Sequence, residues 1–110
     1  MQLNQEAELE TRIYLKAGDI STELAQVLAQ VEELDAFIMS LATSEDNDVR
    51  HVLVRHLAAK RDTLDRLMKE TDELPEDFRG PLANYQRYVT DTLHRTELCV
   101  GMLYARLPRA

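Results

Sequence analysis

The sequence predicts an all-α domain built from three long antiparallel helices, a helical bundle or coiled-coil hairpin. Three observations lead there. Ile13, Ala17, Ile20, Leu24, Val27, Val31, Leu34, Ile38 and Leu41 are spaced alternately four and three residues apart. Their mean period of about 3.5 residues is that of a helix holding one seam against another helix. Glycine is absent between Gly18 and Gly80, whereas Pro75, Gly80 and Pro81 stand together. No segment alternates Val, Ile and Thr in the manner of a strand, and no Asn-Gly turn occurs.

The first helix is expected over about 5–43. Gly18 costs about 1 kcal/mol in a helix interior, but the seam keeps its phase across it. A break would shift that phase, so one continuous helix is expected, with a short helix ending near Gly18 as the weaker alternative. Residues 13–41 alone would span about 43 Å.

Thr43-Ser44-Glu45-Asp46-Asn47-Asp48 reads as a turn followed by a helix start. Ser44 and Asp46 are good N-caps, and the acids suit the positive end of the helix dipole. The second helix is expected over about 46–73, with a seam of Val49, Val52, Leu53, Leu57, Leu64, Leu67 and Met68. Asp62 with Arg66 and Asp65 with Lys69 are favourable i,i+4 pairs on its outer side.

Leu74 precedes a proline and is biased out of helix, so residues 74–80 form the second connection. Pro81 suits the first position of the third helix, expected over about 81–107. That helix carries Leu82, Val89, Leu93, Thr96, Val100, Leu103 and Leu107 on its seam, with Gln86 the polar exception. Both connections are short, so neighbouring helices run antiparallel. The 110 residues then make a single helical domain, residues 1–110, whose leftover seam is expected to close in a homodimer.

Composition narrows the function. With 13 basic and 20 acidic residues the net charge is −7, which repels nucleic acid phosphates and anionic lipid headgroups. No nucleic acid and no membrane is expected among the partners. Cys99 is the single cysteine, so no disulfide forms within the chain. The opening residues lack a basic and then apolar leader. A cytoplasmic location is expected.

No catalytic, metal or cofactor site is expected. His51 and His56 are five residues apart and point about 140° away from each other on a helix, whereas helical metal pairs want three or four. Cys99 lies in mid-helix, as an inert buried thiol does. No Gly-rich phosphate loop or nucleophile elbow is present. A small helical enzyme would need a cationic pocket, for which only Lys60-Arg61 stands near a seam.

Two charge features remain. No acid lies between Val49 and Arg61, and this zone is the only basic one in the chain. It reads first as the complement of Glu32, Glu33 and Asp35 across a hairpin, with Asp35 level with His56 and Glu32 with Lys60; the other reading is a docking face for an acidic partner. Glu70, Asp72, Glu73, Glu76 and Asp77 surround the second turn and read as solvated.

The apolar residues outside the seams carry the functional expectation. Leu28, Phe37 and Tyr85 can be absorbed by a wide core stripe. Leu15, Met39, Tyr88, Tyr104 and Met102 cannot all be, and exposed apolar residues on helices mark contacts with other proteins. The chain is therefore expected to be a non-catalytic protein-binding module: a small acidic adaptor, chaperone or anti-activator that sequesters a partner. A coiled-coil subunit of a larger assembly and an acidic mimic of nucleic acid are the alternatives.

Overall fold

The structure is a computed structural model. It describes the backbone of residues 2–41 and 49–105, and the side chains of residues 5–40, 49 and 51–102. Three helices make up the fold: α1 (Gln2–Leu41), α2 (Arg50–Asp72) and α3 (Glu76–Ala105). They pack pairwise against one another as an up-down-up bundle, with α1 and α3 parallel and α2 antiparallel to both. No strand occurs among the described residues. The bundle is a rod of 71 × 17 × 17 Å.

The seam of α1 is buried as its spacing demands. Ile20, Leu24, Val27, Val31 and Ile38 are closed off from solvent, with Ile13, Ala17 and Leu34 half-buried beside them. Burying a side chain of this size is worth about 1.5–3 kcal/mol. A single helix cannot obtain that alone, so the heptad drives α2 and α3 onto α1. The helix is continuous through Gly18, which sits on the exposed side with ordinary helical φ.

In α2, Leu53, Leu57, Leu64 and Leu67 face the core, joined by Thr71 and, past the helix end, Leu74. Val52 and Met68, expected on the seam, are exposed. One helix in a three-helix bundle meets two neighbours through a stripe of limited width, and Leu53, Leu64 and Leu67 already fill it. α2 begins at Arg50 after Val49, without a side-chain cap. The expected caps Ser44 and Asp46 lie outside the described residues.

The start of α3 differs from the expectation. The helix begins at Glu76, so Pro81 is its sixth residue rather than its first. Pro75 takes over the capping place: its carbonyl accepts from the N–H groups of Phe78 at 3.0 Å and Arg79 at 3.2 Å. Glu76 and Asp77 then sit in the first turn, where the dipole favours acids. Pro81 withholds one N–H from the Asp77 carbonyl, and both residues are exposed, so water can serve that carbonyl.

Polar residues in the seams are satisfied. Gln86 is buried, and its Nε2 donates to the Leu64 carbonyl of α2 at 2.8 Å. The buried hydroxyls of Thr71 and Thr96 donate to the carbonyls of Leu67 and Thr92, one turn back in their own helices. Each of these residues can therefore occupy an apolar position without an orphaned group.

Ion pairs fix the register of the hairpin. Lys16 Nζ lies 2.9 Å from Glu70, and Arg66 bridges Glu23 of α1 and Glu70. Arg66 thus reaches across to α1 and back along α2, rather than pairing with Asp62. The Lys16 hydrogen bond holds the Glu70 carboxyl below its ordinary range, and Glu70 in turn raises the Lys16 ammonium. Tyr14 meets the Phe78 ring edge-on at 5.0 Å. Before Ile13, residues 5–12 are all exposed, so α1 runs on past the ends of its two neighbours as an arm.

Candidate protein-binding surface

Four of the five residues expected to meet a partner have described side chains. Leu15, Met39, Tyr88 and Met102 are 55–67% exposed. The side chain of Tyr104 lies outside the described residues. The four do not form one patch. Leu15 and Met39 stand 24 residues apart on α1, about 36 Å along its axis. Their angular separation is about 120°, so they also lie on different faces.

Tyr88 and Met102 do share a face. They are 14 residues apart, about four turns of α3, and point away from the core. Leu98, also exposed, falls on the same outward side one turn before Met102. Leu98 was not singled out from the sequence, because it is buried in the apolar run Leu98 to Ala105 with no period of its own. Its signal was the spacing of four to Met102 and ten to Tyr88, which repeats the seam rhythm on the opposite side of the helix.

Beside this face lies a groove between α2 and α3. Val54, Leu57, Ala58, Val100 and Gly101 line it, Arg61 and Glu97 close one end, and its volume is about 310 Å³. Gly101 stands in open space on the α3 wall: a Cβ built there would meet nothing within 4 Å. Val54 is exposed at the opposite wall. Arg61 Nε donates to Glu97 Oε2 at 3.2 Å, and a second bond joins Arg61 Nη2 to Oε1. This fork keeps the Arg61 guanidinium above its ordinary range. His94 stands 3.9 Å from the same carboxylate.

The basic zone of α2 is not neutralised across the hairpin as expected. Gln30, Glu33 and Leu34 of α1 do surround one hollow with His56 and Lys60, so the register is as predicted. Yet no ion pair joins Asp35 to His56 or Glu32 to Lys60, and neither Arg55 nor Lys60 has an acidic partner among the described residues. Lys60 and Arg61 line different hollows, one facing α1 and the other α3. They do not converge on a shared cavity, and Arg61 is already paired.

Phe37, expected in a wide core stripe, is 46% exposed, whereas Leu28 and Tyr85 are packed against the core as expected. Phe37 lies on the α2-facing flank of α1, about 100° around the helix from the buried Ile38 and so outside the buried stripe. His51, His56 and His94 are exposed, Cys99 is half-buried, and no group of three metal-binding side chains occurs among the described residues. No described helix is long and apolar enough to cross a membrane. No protein family, curated protein or solved structure matches this chain.

Proposed function

We propose that this chain is a non-catalytic, cytoplasmic protein-binding module that sequesters a partner through the outward face of α3, in the manner of an adaptor, chaperone or anti-activator. One observation carries the reading: Tyr88, Leu98 and Met102 are exposed on one side of a helix whose other side is already buried. Scattered apolar residues are ordinary on a protein surface. Three on one helical face, beside an apolar groove, are the anchors that a partner helix or strand edge uses.

The test is an affinity pull-down with a crosslinker from the native host, comparing wild type with Tyr88→Ala, Met102→Asp and Met39→Asp. The expected result is a protein captured by wild type and weakened by each substitution, with helical circular dichroism unchanged. Met39 tests whether the surface extends to the neighbouring end of α1. Equal capture by all four proteins, or no specific capture by wild type, would refute the reading.

A further inference from the structure

The outward face of α3 carries a seam of its own. Asn84, Tyr88, Asp91, Arg95, Leu98 and Met102 follow one another at intervals of four, three, four, three and four residues. At about 100° per residue they fall within a stripe about 80° wide and about 27 Å long. The stripe lies opposite the buried Val89, Leu93, Thr96 and Val100, and all six of its residues are exposed. A period of about 3.5 residues is the geometry by which one helix lies along another.

The stripe is also symmetric in its chemistry. Turned end over end about the level of Leu93, it sets Tyr88 against Leu98, Asp91 against Arg95 and Asn84 against Met102. Apolar side chain then meets apolar side chain, and acid meets base, each contact being made twice. A parallel, in-register pairing would instead set Asp91 against Asp91 and Arg95 against Arg95, and like charges so placed oppose association.

Both central charges are free to make that contact. Asp91 has no ion pair among the described residues, and Arg95 Nη2 turns to the Thr92 hydroxyl at 3.4 Å. The other charged or titratable side chains of α3 between residues 84 and 102 are Arg87, His94 and Glu97. Glu97 is held by Arg61 on the side facing α2. Arg87 and His94 flank the stripe about 60–80° from its centre, so no second carboxylate faces Asp91 from this helix.

We infer that the chain forms a homodimer in which the outward faces of two α3 helices lie antiparallel, with the two-fold axis level with Leu93. One patch serves on both copies, so the contact closes on itself and does not propagate. Tyr88 of each copy covers Leu98 of the other, and Asp91 pairs with Arg95 at the centre. The inference rests on this face being a binding surface, as proposed above, and names what covers it in the free protein. Three apolar side chains from each copy make a small contact, of the class that forms and dissociates readily. A captured protein therefore competes with the second copy for α3.

The test is sedimentation equilibrium and light scattering of the full chain over a concentration series, with circular dichroism as the control for folding. Wild type should pass from monomer to dimer mass and stop there. Leu98→Asp should be monomeric with undiminished helicity, because that side chain is exposed in the single chain. Asp91→Arg and Arg95→Asp each replace two attractive contacts by two repulsive ones, and each should raise the dissociation constant about 4-fold or more. The double variant, Asp91→Arg with Arg95→Asp, restores both pairs and should return to within about 2-fold of wild type. An equimolar mixture of the two single variants should associate more tightly than either alone. A wild type that stays monomeric up to about 1 mM, a double variant no tighter than the single ones, or a dimer indifferent to Leu98→Asp would each overturn the arrangement. So would a mass that climbs past the dimer. The pull-down separates this inference from the partner reading: a wild type that captures a protein yet never dimerises overturns the dimer alone. A dimer with the expected variant pattern that captures nothing supports it and refutes the other.

Discussion

Gly18→Ala tests the continuity of α1, on which both the buried seam and the projecting arm depend. Gly18 lies on the exposed side of the helix with helical backbone angles, and an added Cβ would meet nothing within 4 Å. The substitution therefore creates no clash and no strain. Alanine is favoured over glycine in a helix interior by about 0.5–1 kcal/mol, largely through the lower entropy of the unfolded chain. For a chain of this size that corresponds to a rise in Tm of about 2–4 °C. Thermal denaturation followed by circular dichroism, at fixed protein concentration because association shifts Tm, measures it. Gly18→Pro is the companion: it removes the N–H bonded to the Tyr14 carbonyl and crowds that carbonyl, costing about 3 kcal/mol or more. If alanine gave no gain and proline were tolerated, α1 would be broken near Gly18, and the rigid arm with it.

Two further predictions probe the polar contacts between helices. Gln86→Leu should stay within about 1 kcal/mol of wild type, because the lost hydrogen bond is offset by apolar burial and the Leu64 carbonyl keeps its own helical donor. Gln86→Glu should instead cost several kcal/mol at neutral pH by facing a buried carboxylate at that carbonyl, and should recover as acid protonates it; urea titrations at two pH values report both. The Glu70 carboxyl is held below its ordinary value by Lys16, so its contribution to stability is complete above the normal carboxylate range and disappears as pH falls through the lowered value. Glu70→Gln should therefore lower Tm slightly at pH 7, with the two melting curves converging in acid; a gap that persists at low pH would show that Glu70 acts through packing.

Much of the fold was legible because a seam is a local, periodic signal. Ile20, Leu24, Val27 and Val31 announce their burial through spacing alone, since a helix carries its own geometry and needs no distant residue to define which side is apolar. Gln86 was recognisable as the polar exception for the same reason. The start of α3 was not, because Pro75 and Pro81 both suit a helix beginning. The choice between them depends on which carbonyl can be left to water. Val52, Met68 and Phe37 were misplaced because spacing gives direction about one helix axis, while the width of the stripe depends on how closely its neighbours approach.

The binding surface shows the same division. That Leu15, Met39, Tyr88 and Met102 stand outside the seams follows from residue number and the helical period. Whether they meet does not. Tyr88 and Met102 share a face with Leu98, whereas Leu15 and Met39 are held far apart on a straight α1. The amino-acid order by itself determined the three helices, most of their buried sides and the acid-free stretch between Val49 and Arg61, because these depend on neighbours within a few turns. Only the tertiary structure decided that α1 outruns its partners, that Arg55 has no acidic partner among the described residues while Arg61 is claimed by Glu97, and that Gly101 and Val54 line an open groove. Those outcomes depend on register and distance between helices, which are set by the packing of all three at once.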